Sequence, residues 1–465
     1  SGLTSVPVLL ICIFRKKINC RVLGTKISKD CLQRMLWDVA IIGGGVVGCA
    51  TLNKLTSLGY KCILFERNQH LVSGASCGNS GIVSCGFDSG GPLEEKLIQR
   101  AREINTKTFS SLDIPHKYCG AIVVAWSQEQ CDKLPELMKE AHSMGANDVT
   151  LLTQTQLRAL EPNLSHNALA GMLVPSESVG DSWLLPIVLA HQAIRSGSQV
   201  SCNSQVHSGR QLEDGTWQLE INDSAPCLAK CVINSAGLYG DEVEQIQGEP
   251  KFRIQPVKGE YALFSKDAGQ LVKHIIAPVC TDPRVKGVMV IPSGQLVNHI
   301  ILPVPTDRTK GVLLFPSVYG NLIVGPTAED VNERSNPTIN DDVISNLVSQ
   351  ARDIVPALSQ HAPVATYAGL RPATQFRDYQ ISANSERKWV TVGGIRSTGF
   401  SACLAIAEYV AGLLPQIPVA PSRSPPPENT HPVPWWPDGN TLVLDGVKYN
   451  VTHPLTSHGR SVAKL

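Results

Sequence analysis

The chain has 465 residues, with 41 Lys and Arg against 40 Asp and Glu, a net charge of +1. It therefore lacks the basic surface by which a protein holds nucleic acid or an anionic membrane. Hydrophobic residues at 43% and charged residues at 17% exclude a wholly disordered chain and suffice for two or three domain cores.

No apolar run approaches the roughly 18 residues of a membrane span. The 14 cysteines form no CxxC pair, which predicts reduced thiols in an intracellular compartment and no metal site. Residues 1–35 are expected to form no part of the fold and to carry no catalytic role. An apolar run at 6–14 precedes Arg15-Lys16-Lys17, the reverse of the order in a secretory signal.

The first strong element is the β-rich run Asp38-Val39-Ala40-Ile41-Ile42. Gly43-Gly44-Gly45-Val46-Val47-Gly48 follows, then a helical stretch over 49–58, then a second strand at 61–65 ending on Glu66. Strand, glycine turn, helix, strand and acid, in that order, predict a dinucleotide cradle. Gly43 permits the tight turn. Gly45 lets backbone approach a pyrophosphate at the helix N-terminus, and Gly48 lets helix and strand pack closely. Glu66 is placed to accept hydrogen bonds from a ribose.

A second glycine-rich stretch, Gly74-Ala75-Ser76-Cys77-Gly78-Asn79-Ser80-Gly81, begins soon after the acid. It resembles the flavin-contacting loop of the D-amino-acid-oxidase-like FAD superfamily. The resemblance implies that Ser76 reaches the pyrophosphate and that Asn79, Ser80 and Gly81 pass beside the isoalloxazine. With no histidine at 77 or 78, the FAD is expected to be non-covalent. In the same resemblance Val206 meets adenine through its backbone. Ala236 and Gly237, after the strand Cys231-Val232-Ile233-Asn234, form a second crossing near the pyrophosphate. Trp389 to Gly393 reads as a late strand, and Gly394, Gly399 and Phe400 lead into a helix to about 414. Its N-terminal dipole would favour a reduced flavin.

Four segments narrow the resemblance. They are Pro256-Val257-Lys258-Gly259-Glu260-Tyr261, the run from Gly320 to Asp330, Ala368-Gly369-Leu370-Arg371-Pro372-Ala373-Thr374, and the loop at 79–81. Together they are similar to FAD-dependent glycerol-3-phosphate dehydrogenases and oxidases and to L-2-hydroxyglutarate dehydrogenases and oxidases. The fold so implied is α/β. A discontinuous Rossmann-like FAD-binding domain (36–115, 190–250 and 365–415) stands beside a mainly antiparallel α+β substrate domain (116–189 and 251–364).

The implied reaction removes a hydride from a small anionic secondary alcohol, with oxygen or another electron carrier as final acceptor. Arg371 is the expected anion clamp, because a guanidinium binds carboxylate or phosphate bidentately. Tyr261 and Lys258 are candidates for the same pocket. For the base, Tyr319 stands where some relatives carry histidine, and His274 and His299 are alternatives. An amino-acid or amine oxidase, and a catalytically degenerate flavoprotein, are the competing readings.

Residues 269–292 and 294–316 repeat one another, with Gly269-Gln270-Leu271-Val272 matching Gly294-Gln295-Leu296-Val297. The second copy runs directly into Gly320-Asn321 and is expected to be the one embedded in the sheet. Proline crowds 415–437, which predicts a linker, and an Asp445-Gly446 hairpin tail follows within 416–465. The closing Ala463-Lys464-Leu465 resembles a peroxisomal address.

Overall fold

The computed structural model describes residues 36–87, 89–222, 224–279, 312–415 and 434–461. The leader, His299, most of the repeat, the proline-rich stretch and the closing tripeptide lie outside the described residues.

Two sheets organise the chain. The first has eight strands, with Cys227–Asn234, Leu36–Ile42, Cys62–Phe65 and Gln199–Ser201 adjacent in that order. Leu36–Ile42 and Cys62–Phe65 run parallel. Residues 39–42 and Cys62–Phe65 read as unbroken apolar runs because both faces of a parallel sheet are covered. Alternation sends Val39 and Ile41 to one core and Ala40 and Ile42 to another. The helices Val46–Ser57, Pro92–Ser111, Leu184–Arg195 and Gly399–Leu413 share the first core. Trp217 and Trp389, 5.1 Å apart, fill the second.

The second sheet has nine strands and is mainly antiparallel. At one end of it Ile254–Leu263 pairs with Ala365–Thr374 over ten residues. The helix Asp341–Ile354, capped by Asn340, lays Leu347, Val348 and Ala351 against it.

Three expectations need correction. Residues 365–374 are expected in the coenzyme half, but the ten-residue ladder with Ile254–Leu263 holds this strand in the other sheet. The helix Leu184–Arg195 straddles the expected boundary at 189–190. Leu184, Leu185, Ile187, Val188 and Leu189 all pack in the coenzyme-side core, because the helix is apolar nearly all round. In the repeat, Ile275–Pro278 of the first copy is itself a sheet strand. It lies between Ala121–Ala125 and Leu313–Pro316, the last of which belongs to the second copy. Each copy therefore supplies one of two neighbouring strands, so the sheet embeds part of both and not of the second alone.

The tail folds as three antiparallel strands, Trp435–Asp438, Thr441–Leu444 and Val447–Asn450, and a helix, Pro454–Ser461. Asp445 and Gly446 turn the last hairpin at φ of 47° and 80°, as a two-residue Asp-Gly loop requires. Leu442 and Leu444 are fully buried in the coenzyme-side core. Asp445 and Tyr449 both bond the buried His191, at 3.0 and 2.9 Å. The tail is thus packed into the body.

Candidate active site

A cleft, open at its mouth, runs along the ends of the first sheet. Gly43, Gly45, Glu66, Ser76, Asn79, Val206, Ala236, Gly237, Gly399 and Phe400 all line it. The sequence separates these residues by up to some 350 positions, and the strand ends gather them at one edge.

Local chemistry explains the cradle. Gly43 turns at φ 110°, and a Cβ there would lie 2.4 Å from the Ser235 carbonyl oxygen. Gly48 does not line the cleft. Its hydrogen faces the Gly43 carbonyl, which a Cβ would approach to 1.9 Å. The helix Val46–Ser57 opens with no acidic residue in its first turn and no side-chain cap from Gly45. Its Val46 N–H donates to Ser76 Oγ at 3.1 Å. Such an end attracts an anion. Glu66 is buried, and its carboxylate accepts from Gly44 N–H, Asn68 N–H and Asn68 Nδ2, each at 2.8 Å. Beside it Arg67 lies 3.5 Å over the Tyr239 ring. The N-terminus of Gly399–Leu413 also opens on the cleft, again without a side-chain cap. Gly394, at φ 64°, sits behind the cleft against Thr374 and Gln380.

The strand pair of the second sheet adds a different cluster. In register, Val257, Gly259 and Tyr261 stand opposite Arg371, Gly369 and Tyr367. Tyr261 and Tyr367 stack with centroids 4.5 Å apart. Gly259 leaves space for the Arg371 guanidinium, since a Cβ there would lie 2.5 Å from Nη2. Arg371 Nη2 donates to the Thr327 carbonyl at 3.2 Å, while Nη1 is buried with no partner among the described residues. The Tyr367 hydroxyl is likewise buried and unpartnered. Burial raises the Tyr261 phenol, and adjacent Arg371 partly offsets this. Gly78 brings the loop at 74–81 onto this pair, for a Cβ there would lie 2.3 Å from Gly369 Cα.

Lys258 does not join that cluster. Strand alternation turns it to the opposite face, where it meets Glu329 at 2.8 Å, Glu260 at 3.4 Å and the Thr338 carbonyl. Burial opposes its charge, yet the two carboxylates outweigh this and raise its pKa. His274 is tied to buried Glu161 at 2.6 Å. Tyr319 donates to Asp181 at 2.5 Å and accepts from Arg460 at 3.1 Å. It lines a much smaller hollow with Ser80, Gly81, Ser182 and His453.

Sequence reasoning missed Tyr367, Asp181 and His453. Period-two alternation before Arg371 would have placed Tyr367 on the same face. Nothing in the tail's sequence ties His453 to the cofactor loop.

The pattern of the FAD dependent oxidoreductase family, DAO, matches residues 38–413. The chain belongs to this family. Its cofactor is FAD, and it is an FAD-dependent oxidoreductase. The cleft fits that coenzyme: two helix N-termini without N-cap side chains, a buried acid, Glu66, at the end of the second strand and an open backbone at Gly237, where a Cβ would meet nothing within 4 Å.

The chain is 28% identical over 384 residues to a glycerol 3-phosphate dehydrogenase of Caloramator mitchellensis, covering 82% of this chain and 74% of the relative. It is 28% identical over 390 residues to a glycerol 3-phosphate oxidase of Mycoplasma pneumoniae, covering 81% and 94%. A mitochondrial L-2-hydroxyglutarate dehydrogenase of Caenorhabditis elegans matches at 28% over 258 residues, 53% of this chain and 58% of that one. Among solved structures, the dithionite-reduced L-α-glycerophosphate oxidase of M. pneumoniae with FAD bound superposes with a TM-score of 0.72 at 25% identity, covering 83% of this chain and 97% of that chain. No described helix is long and apolar enough to cross a membrane.

Proposed function

We propose that this flavoenzyme oxidises a small anionic secondary alcohol, glycerol 3-phosphate first and an L-2-hydroxyglutarate-like 2-hydroxy acid second. The observation that carries this reading is Arg371, a guanidinium with one buried, unpartnered nitrogen beside the cofactor loop. A buried donor without a partner costs free energy, and a phosphate or carboxylate accepting from Nη1 would remove that cost. The two families of relatives named for an anionic alcohol support the same reading.

Bound FAD supplies the two-electron acceptor for the carbon-bound hydride. Gly45, Ser76, Ala236 and Gly237 would hold its pyrophosphate, Glu66 its ribose, and Asn79, Gly399 and Phe400 its ring. No histidine stands at 77 or 78, and burial raises the Cys77 thiol, so the coenzyme is held without a covalent bond. The residues of the chain do the rest. Arg371 fixes the anion, the Tyr261–Tyr367 stack walls the pocket, and Gly78 against Gly369 keeps cofactor loop and clamp in register. Oxygen is the acceptor that the oxidase relatives suggest.

The test is a steady-state screen of glycerol 3-phosphate, 2-hydroxyglutarate, glycerol and amino acids with a dye acceptor or oxygen. Turnover confined to the anionic alcohols is expected. Turnover of amino acids alone would overturn the reading in favour of an amine oxidase, and bound FAD that no substrate reduces would favour a degenerate binding module.

A further inference from the structure

His453 lies in the tail, 1% exposed, at a place no other part of the reading uses. One ring nitrogen, Nε2, is 2.9 Å from the Asn79 carbonyl oxygen, with Ser182 Oγ at 3.2 Å. A carbonyl only accepts, so Nε2 carries the hydrogen and Nδ1 carries the lone pair. That Nδ1 is buried and has no partner among the described residues. The ring stands between two parts of the site. Asn79 and Ser182 line the coenzyme cleft, and on its other flank the ring faces Tyr367, 6.5 Å away, which stacks on Tyr261 beside Arg371. The Tyr367–Tyr261 stack thus links the His453 ring to Arg371, and Arg371 Nη1, Tyr367 Oη and His453 Nδ1 are each buried without a partner among the described residues.

We propose that His453, delivered by the C-terminal tail, is the base that takes the substrate's hydroxyl proton at Nδ1. This rests on the alcohol-oxidising function proposed above. The O–H bond breaks toward Nδ1 and yields an imidazolium. The electron pair of that bond becomes the second C–O bond of the ketone as the hydride leaves the same carbon for the two-electron acceptor. A base must be neutral to act, and burial lowers the pKa of His453, outweighing Asp181, whose charge raises it. The other ionisable groups around it are Tyr367 on the strand, Tyr319 on the loop and Arg460 on the tail helix.

The decisive variants are His453→Gln and His453→Ala as FAD-loaded full-length enzymes. Glutamine still offers an N–H to the Asn79 carbonyl but provides no base, so it separates proton transfer from positioning. Anaerobic flavin reduction by glycerol 3-phosphate is expected to slow by about 10²–10⁴-fold in both variants. FAD content and melting temperature should stay at wild-type values, the acid limb of the rate profile should be lost, and imidazole should partly rescue the alanine variant. A glutamine variant with the wild-type rate and pH profile would overturn the proposal and leave His453 a positioning residue.

A second measurement does not depend on turnover. Nitrogen NMR of ¹⁵N-histidine-labelled holoenzyme, assigned by the glutamine variant, should show His453 neutral with the hydrogen on Nε2 near neutral pH. A hydrogen on Nδ1, or an imidazolium, would overturn the proposal. If no anionic alcohol reduces the wild-type flavin, the functional reading fails by itself, and the same variants are run with whichever substrate does reduce it.

Discussion

Arg371 is the residue whose chemistry is most exposed to test. Replacing it by alanine removes the fixed cation but leaves the coenzyme cleft untouched. Losing one partner of a desolvated charge pair costs about 2–5 kcal/mol, so kcat/KM for an anionic alcohol should fall by that amount, mainly through KM. FAD content should not change, and lysine should restore only part of the loss, since it offers a point charge without the planar fork. Unchanged kinetics would remove the clamp. His453 yields a second residue-scale prediction. Its folded pKa lies below the unfolded value of 6.5, so the unfolded chain binds the proton more readily. The stability it contributes is present above about pH 6.5 and is lost as pH falls toward the folded pKa. Melting temperature measured from pH 8 to pH 5 should therefore drop more steeply for wild type than for His453→Gln, and parallel curves would deny the buried neutral ring.

At the scale of elements, the glycine turns carry the tightest constraint. A methyl at Gly48 would meet the Gly43 carbonyl oxygen at 1.9 Å, so helix and strand must separate. Gly48→Ala should cost about 1–3 kcal/mol and weaken FAD, read by melting temperature and by flavin retained on gel filtration. These turns were legible because a dinucleotide cradle is local: strand, turn, helix and acid lie within thirty residues of one another. Lys258 was misread for the opposite reason. On a strand one position decides the face: Tyr261 stands opposite Tyr367 on the face that carries Arg371, while Lys258 turns to the other face and meets Glu329. The repeat gives another element-scale prediction. Ile275–Pro278 and Leu313–Pro316 are neighbouring antiparallel strands, so a short connection suffices between them. Deleting residues 281–305, one repeat period, joins Cys280 to Thr306 and should leave melting temperature and FAD content near wild type. Loss of both would show that the second period is needed.

Across the whole molecule, the two-sheet arrangement and the coenzyme followed from motif order. The tail did not. Its sequence reads as a proline-rich linker and a small hairpin, yet Leu442 and Leu444 complete the coenzyme-side core and His453 reaches the loop at Asn79. A contact spanning some 370 residues leaves no periodic trace in a single sequence. In the proposed reading these parts make one enzyme, with FAD along the first sheet, Arg371 of the second as anion clamp and His453 of the tail as base. Anaerobic titration of the yellow holoenzyme with glycerol 3-phosphate addresses that claim most directly. One equivalent of substrate per bound FAD should bleach the flavin and release one equivalent of ketone. A flavin that stays yellow with glycerol 3-phosphate and with 2-hydroxyglutarate, yet is bleached by dithionite, would contradict it.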